Sequence, residues 1–138
     1  MAANQTIEEG TEFQPRFDNA GLIPVIAQDE KTGQVLMFAW MNREAIDLTI
    51  QTGFAHYFSR SRRKIWKKGE ESSHLQRVRE ILVDCDQDCL LLKVSIDAGQ
   101  CHVGFQSCFY RALAAGDGKK LRFIAQKVYE PSRVYRKT

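Results

Sequence analysis

Several things are missing from this chain, and each absence excludes something. No apolar run approaches the roughly 20 residues that a bilayer-spanning helix needs. The opening residues, MAANQTIEEGTEF, have neither a basic region nor an apolar stretch. They match neither a secretory leader nor a transit peptide, so the expected compartment is the cytoplasm. Net charge is small: Lys+Arg 20 against Asp+Glu 17 leaves +3. The whole surface is therefore not a polycation that must seek nucleic acid. There is no internal repeat, no low-complexity segment and no linker. No cysteine lies outside positions 85–108, and none of the spacings is the C-x2-C knuckle of a structural zinc site.

What is present suffices for one ordinary domain, since 138 residues can bury a sizeable core. The expectation is a flexible arm over 1–15 and a single domain over 16–138. Leu22–Gln28 and Gln34–Trp40 are apolar, β-prone runs separated by a turn ending at Gly33, which predicts a β-hairpin. Asn42 is placed to cap a helix that ends at Gly53. Ala45, Ile46, Thr49 and Ile50 share its apolar face. Strands are expected over Phe54–Ser59, Leu75–Val83, Cys89–Ile96 and Arg122–Tyr129, with an extended tail from Pro131. The fold class is α+β, mainly antiparallel sheet with one clear helix.

Three constellations carry possible chemistry. Four cysteines crowd between 85 and 108, and in a reducing compartment clustering points to metal before disulfide. Cys85, Cys101 and Cys108 would leave a fourth position open on a catalytic zinc. The competing reading makes them small buried hydrophobes, and Cys89, at the head of an apolar run, fits that reading best. Asp84, Asp86 and Asp88 alternate, so an extended segment would put them on one face and Cys85 on the other. An EF-hand fails, because Cys89 stands where Gly is required and Ser95 where Glu is. A solvated acidic turn is the bland alternative.

The third constellation is basic. Arg60, Arg62, Lys67 and Lys68, with Gly69 for close backbone approach, form a candidate phosphate clamp. Trp66 is a candidate for base stacking. A solvated loop is the bland alternative, and an RNA-binding surface is a further one. His102 follows Cys101 directly and is a candidate proton-transfer group. His56 falls in an apolar strand, and His74 has no evident role.

These residues resemble one known family, the phosphoribosyl-AMP cyclohydrolases. The matching segments run in order over about residues 22–111: Phe38-Ala39-Trp40-Met41-Asn42, Tyr57-Phe58-Ser59-Arg60-Ser61-Arg62, Trp66-Lys67-Lys68-Gly69-Glu70, Gln76, Asp84-Cys85-Asp86-Gln87-Asp88, and Cys101-His102 through Ser107-Cys108-Phe109-Tyr110-Arg111. The resemblance implies zinc on Cys85, Cys101 and Cys108 and magnesium on Asp84, Asp86 and Asp88, one ion of each per subunit. It implies an intertwined homodimer that shares the zinc site, with Cys85 from one subunit and the other two cysteines from its partner. The implied substrate is an adenine nucleotide carrying a phosphoribosyl group on N1, opened by water at C6 in histidine biosynthesis. A monofunctional enzyme without a fused C-terminal pyrophosphohydrolase is expected, bound to neither membrane nor nucleic acid. One departure is visible: Ser73 stands where the family usually has Gly. The H-x-E…P-C-x-x-C signature of zinc deaminases is absent.

Two competitors keep a place. One is a zinc-stabilised RNA-binding module using Arg60–Lys68 and Trp66, although the aspartate triplet would repel a polyanion. The other is a related hydrolase acting on another N-alkylated purine.

Overall fold

The computed structural model describes residues 3–134. Their elements, in chain order, are α1 (Ala3–Glu9), β1 (Ile23–Asp29), β2 (Val35–Met41), α2 (Arg43–Thr52), β3 (His56–Ser59), β4 (Lys64–Lys67), β5 (Arg77–Val83), β6 (Leu90–Ser95), β7 (Arg111–Leu113), β8 (Leu121–Phe123) and α3 (Pro131–Val134). A four-stranded sheet has the order β2-β1-β6-β5, and β3-β4 and β7-β8 are separate two-stranded ribbons. All pairings are antiparallel except β1 with β6. The α+β class expected from the sequence is therefore observed.

The first hairpin forms because its turn satisfies itself. Asp29 accepts from Lys31 N and Thr32 Oγ1, both at 3.0 Å, and Gly33 takes the left-handed φ of 78°. Along β1 and β6 alternate side chains are buried. Ile23, Val25, Ala27, Leu90, Leu92 and Val94 thus face one core, joined by Leu36 and Met41 of β2 and Ala45 and Ile46 of α2. Burying each large aliphatic side chain of this set contributes about 1.5–3 kcal/mol.

Helix α2 begins where Asn42 Oδ1 accepts from Ala45 N at 2.9 Å. It stops where Gly53 adopts φ 78° and returns its N–H to Thr49 O. Ala45, Ile46 and Thr49 are buried as expected, but Ile50 is exposed. It lies at the edge of the apolar stripe, beyond the arc that the sheet covers.

Other expectations are corrected. Within the basic stretch, for which a solvated loop was the bland alternative, Lys64–Lys67 forms β4 and pairs with β3, Tyr57 opposite Trp66. Of the strand predicted over 122–129 only Leu121–Phe123 forms, and Val128 N and Tyr129 N bond to Gly104 O instead. The tail turns into the short α3 at Pro131 rather than staying extended, and residues 135–138 lie outside the described residues.

Where the sequence suggested a loose arm over 1–15, Ala3–Glu9 is helical. The chain after it is tied to the acidic turn by Gln87, whose Oε1 accepts from Gln14 N at 2.7 Å. Gln87 Nε2 donates to Ile7 O and Glu12 O. Positions 1–2 lie outside the described residues.

Candidate active site

A cleft of about 290 Å3 opens between β4, β2 and the loop that carries Cys101 and Cys108, and Arg62, Trp66, Lys67, His102 and Cys108 border it. The two cysteines are placed by backbone. Cys108 N donates to Leu36 O at 2.7 Å, and Ser107 Oγ donates to Val35 O at 2.7 Å, which fastens this segment to β2. Cys101 N donates to Phe105 O and Gly104 N returns to Cys101 O, both at 3.0 Å, closing a tight loop. Gly104 has φ 110° there, a conformation that a side chain would disfavour. The Cys108 thiol lies close enough to the Cys101 side chain for the two to interact. Partial burial pushes the Cys108 thiol up, Cys101 adds to this, and the Lys68 ammonium opposes it. Two thiols held side by side against a cation are a donor set suited to zinc.

Behind the cleft runs a buried polar chain. Tyr57 Oη donates to Gln76 Oε1 at 2.5 Å, and Gln76 Nε2 donates to Gln100 Oε1 at 2.9 Å and to Met37 Sδ at 3.2 Å. Gln100 Nε2 donates to Ala98 O at 2.8 Å, and Lys68 Nζ donates to Gln100 O at 2.8 Å. Tyr57 and Gln76 are 0% exposed and Gln100 is 2% exposed. Among the described residues no buried side-chain nitrogen or oxygen lacks a partner. Burial holds the Lys68 ammonium below the ordinary lysine value, and the two thiols oppose that shift. Burial pushes the Tyr57 phenol far up, so it stays a donor.

The aspartates converge by a different route from the expected one. Residues 84–88 are a turn, not an extended strand. Asp84 Oδ1 accepts from Asp88 N and Cys89 N, both at 3.0 Å, and Gln87 takes φ 59°. Asp84, Asp86 and Asp88 each offer an oxygen within 4.8 Å of the others. Hydrogen bonding from Asp86, then Asp84, pushes Asp88 up to about 6, while Asp88 holds Asp86 down. Three convergent carboxylate oxygens that repel one another are a fitting donor set for a hard cation such as magnesium.

Of the residues singled out by sequence, Arg62, Trp66, Lys67, Lys68, Gly69, His102 and Cys108 border one cleft. His102 is exposed at its rim. Trp66 serves twice, bordering the cleft and packing on Tyr57 with centroids 5.1 Å apart. Arg60 is elsewhere: its guanidinium lies over the Trp40 ring at 4.8 Å, beside a separate groove. Lys68 is 7% exposed and engaged by Gln100 O, unlike a lysine that meets a phosphate in solvent. At Gly69, with φ 90°, a Cβ would stand 2.7 Å from His74 C and Leu75 N. That glycine lets two backbone segments touch.

Asp84 and Cys85 border another groove, against Thr11 to Phe13. Among the described residues the carboxylate triplet is the only close set of three potential ligands, so Cys85 does not meet Cys101 and Cys108 within one chain. Gln100 and Gln87 were missed as site-forming residues. Nothing in hydropathy marks a glutamine for burial, and Gln76 stood out only through the family resemblance.

The family model for phosphoribosyl-AMP cyclohydrolase matches residues 37–110. A phosphoribosyl-AMP cyclohydrolase of Methanococcoides burtonii is 56% identical over 120 residues, covering 87% of this chain and 94% of that protein. One of Caulobacter is 58% identical over 118 residues, covering 83% and 88%. One of Chlorobium limicola is 47% identical over 137 residues, covering 99% and 98%. With the cysteine pair, the aspartate turn and the bordering cations inside the matched span, the chain belongs to the phosphoribosyl-AMP cyclohydrolase family.

Proposed function

We propose that the chain opens the adenine ring of 1-(5-phosphoribosyl)-AMP, yielding the formimino-aminoimidazole carboxamide ribotide in the third step of histidine biosynthesis. The observation that carries this reading is Cys108 on a cleft bordered by Arg62, Lys67, Trp66 and His102, with the buried Cys101 side chain next to it. The relatives named above supply the substrate and reaction class.

The chemistry follows from these positions. Substitution at N1 makes C6 electrophilic. Water oxygen bonds to C6 and the C6–N1 bond breaks; of water's two protons one passes to N1 and the other to the exocyclic imino nitrogen, which leaves the carboxamide. His102, at the rim, is the group placed to move the proton to N1. Trp66 offers a ring face to the base, and Arg62 and Lys67 offer charge to the two phosphates. Buried Lys68 and the Gln76–Gln100 chain fix the floor. Cys101 and Cys108, completed by Cys85 of a second copy, would hold zinc, which supplies a water of lowered pKa, near 7 in other zinc hydrolases. Asp84, Asp86 and Asp88 would hold magnesium, which supplies charge toward the phosphate ends. Separation of Cys85 from the other two thiols in one chain supports a homodimer with a shared site. The proposed compartment is the cytoplasm.

The test is the ultraviolet absorbance of the nucleotide on adding zinc-loaded or chelator-stripped protein. The expected result is turnover that disappears on stripping and returns with zinc. Absence of turnover under every metal condition would overturn the proposal.

A further inference from the structure

The loop carrying Cys101 is gripped from outside by residues 127–129, which lie beyond the span that the family model matches. Val128 N and Tyr129 N donate to Gly104 O at 2.7 and 3.3 Å. The Tyr129 hydroxyl donates to Cys101 O at 2.5 Å. Its ring meets the His74 imidazole edge-on, with centroids 4.6 Å apart and planes at 84°. His74 Nδ1 lies 2.7 Å from Gly99 O. A carbonyl only accepts, so that nitrogen carries the proton. Three carbonyls that bracket the thiol, those of residues 99, 101 and 104, are therefore held by this strap and by His74.

Glycine is required at both positions where the strap crosses the loop. A Cβ on Gly99 would stand 2.6 Å from Val128 Cγ2, and one on Gly104 would stand 2.7 Å from Tyr129 O. Cys101 itself is 3% exposed. Its carbonyl receives both the Tyr129 hydroxyl and Gly104 N, so the orientation of that peptide depends on the strap.

We infer that Tyr129, buttressed by His74, is a positioning residue that sets the direction of the Cys101 thiolate toward a metal. The inference rests on Cys101 being a zinc ligand. Groups that orient a metal ligand without touching the metal typically change affinity by about 10–100-fold. Neither residue needs to meet the substrate for this.

The experiment compares wild type, Tyr129→Phe and Val128→Ala. Tyr129→Phe deletes only the hydroxyl and keeps the ring on His74. Val128→Ala trims the same strap without touching the Cys101 carbonyl. Zinc affinity is read by competition with a chromogenic chelator, and the thiolate-to-metal charge-transfer band is read after cobalt substitution. Tyr129→Phe is expected to weaken zinc about tenfold and shift the cobalt band. Val128→Ala is expected to match wild type in both. Equal zinc affinity and identical bands in all three proteins would overturn the inference. A metal-free readout separates this from failure of the zinc reading: alkylation of Cys101 by iodoacetamide, mapped by mass spectrometry. It is expected to be several-fold faster in Tyr129→Phe than in Val128→Ala. A wild type with no cobalt–thiolate band contradicts the zinc reading and the inference that rests on it. Unchanged alkylation contradicts the strap itself.

Discussion

The buried chain from Tyr57 through Gln76 to Gln100 makes a quantitative demand on stability. Tyr57→Phe removes one hydroxyl and leaves Gln76 Oε1 without its 2.5 Å donor in a place that water does not reach. An orphaned buried acceptor costs about 1–3 kcal/mol. Gln76→Leu removes the centre of the chain and strands two groups, the Tyr57 hydroxyl and Gln100 Oε1. That costs about 2–6 kcal/mol before the gain from burying an apolar side chain in place of an amide is subtracted. With Gln76→Leu already present, Tyr57→Phe deletes a hydroxyl that has no partner, so its further cost should vanish or change sign. The double mutant should therefore be more stable than the sum of the single effects by at least about 1 kcal/mol. Urea unfolding of the four proteins, followed by far-ultraviolet circular dichroism, measures the cycle. Strict additivity would refute the claim that these side chains form one connected network.

Other predictions are local. Ser73 sits at φ 66°, where a side chain is disfavoured, so Ser73→Gly should stabilise the fold by about 0.5–1 kcal/mol in the same assay. Asn42→Ala removes the acceptor for Ala45 N and should cost about 1 kcal/mol. Asp88 is pushed up to about 6 by its carboxylate neighbours. A cation must displace its proton below that pH, so magnesium affinity measured by calorimetry should be flat above it and fall about tenfold per pH unit below it. An affinity independent of pH between 4 and 7 would refute that coupling.

Much of the fold was legible because single residues dictate it. Asn42 and Gly53 set the ends of α2, and the apolar, β-prone runs at 22–28 and 89–96 mark the central strands. The errors have physical causes. Alternating aspartates looked like a strand, but Asp84 captured two backbone N–H groups and made a turn; its carboxylates still converge. Ile50 follows the helical period yet lies past the edge of the sheet. The strand predicted over 122–129 stops at Phe123, because Gly104 O claims the N–H groups of Val128 and Tyr129. Lys68 looked like part of a phosphate clamp, and only tertiary packing reveals it buried beneath the cleft. Gln87 and Gln100 are polar residues whose burial depends on distant partners, and no local pattern announces that.

The central claim is that two thiolates of one chain are completed by Cys85 of another to make a ring-opening site. Mixing the Cys85→Ser and Cys101→Ser variants after reversible dissociation tests it directly. Each variant alone should be inactive. A one-to-one mixture should regain about a quarter of wild-type turnover, since half the dimers are mixed and each mixed dimer holds one complete site. A mixture as inactive as its parents, or full activity in either single variant, would contradict the account.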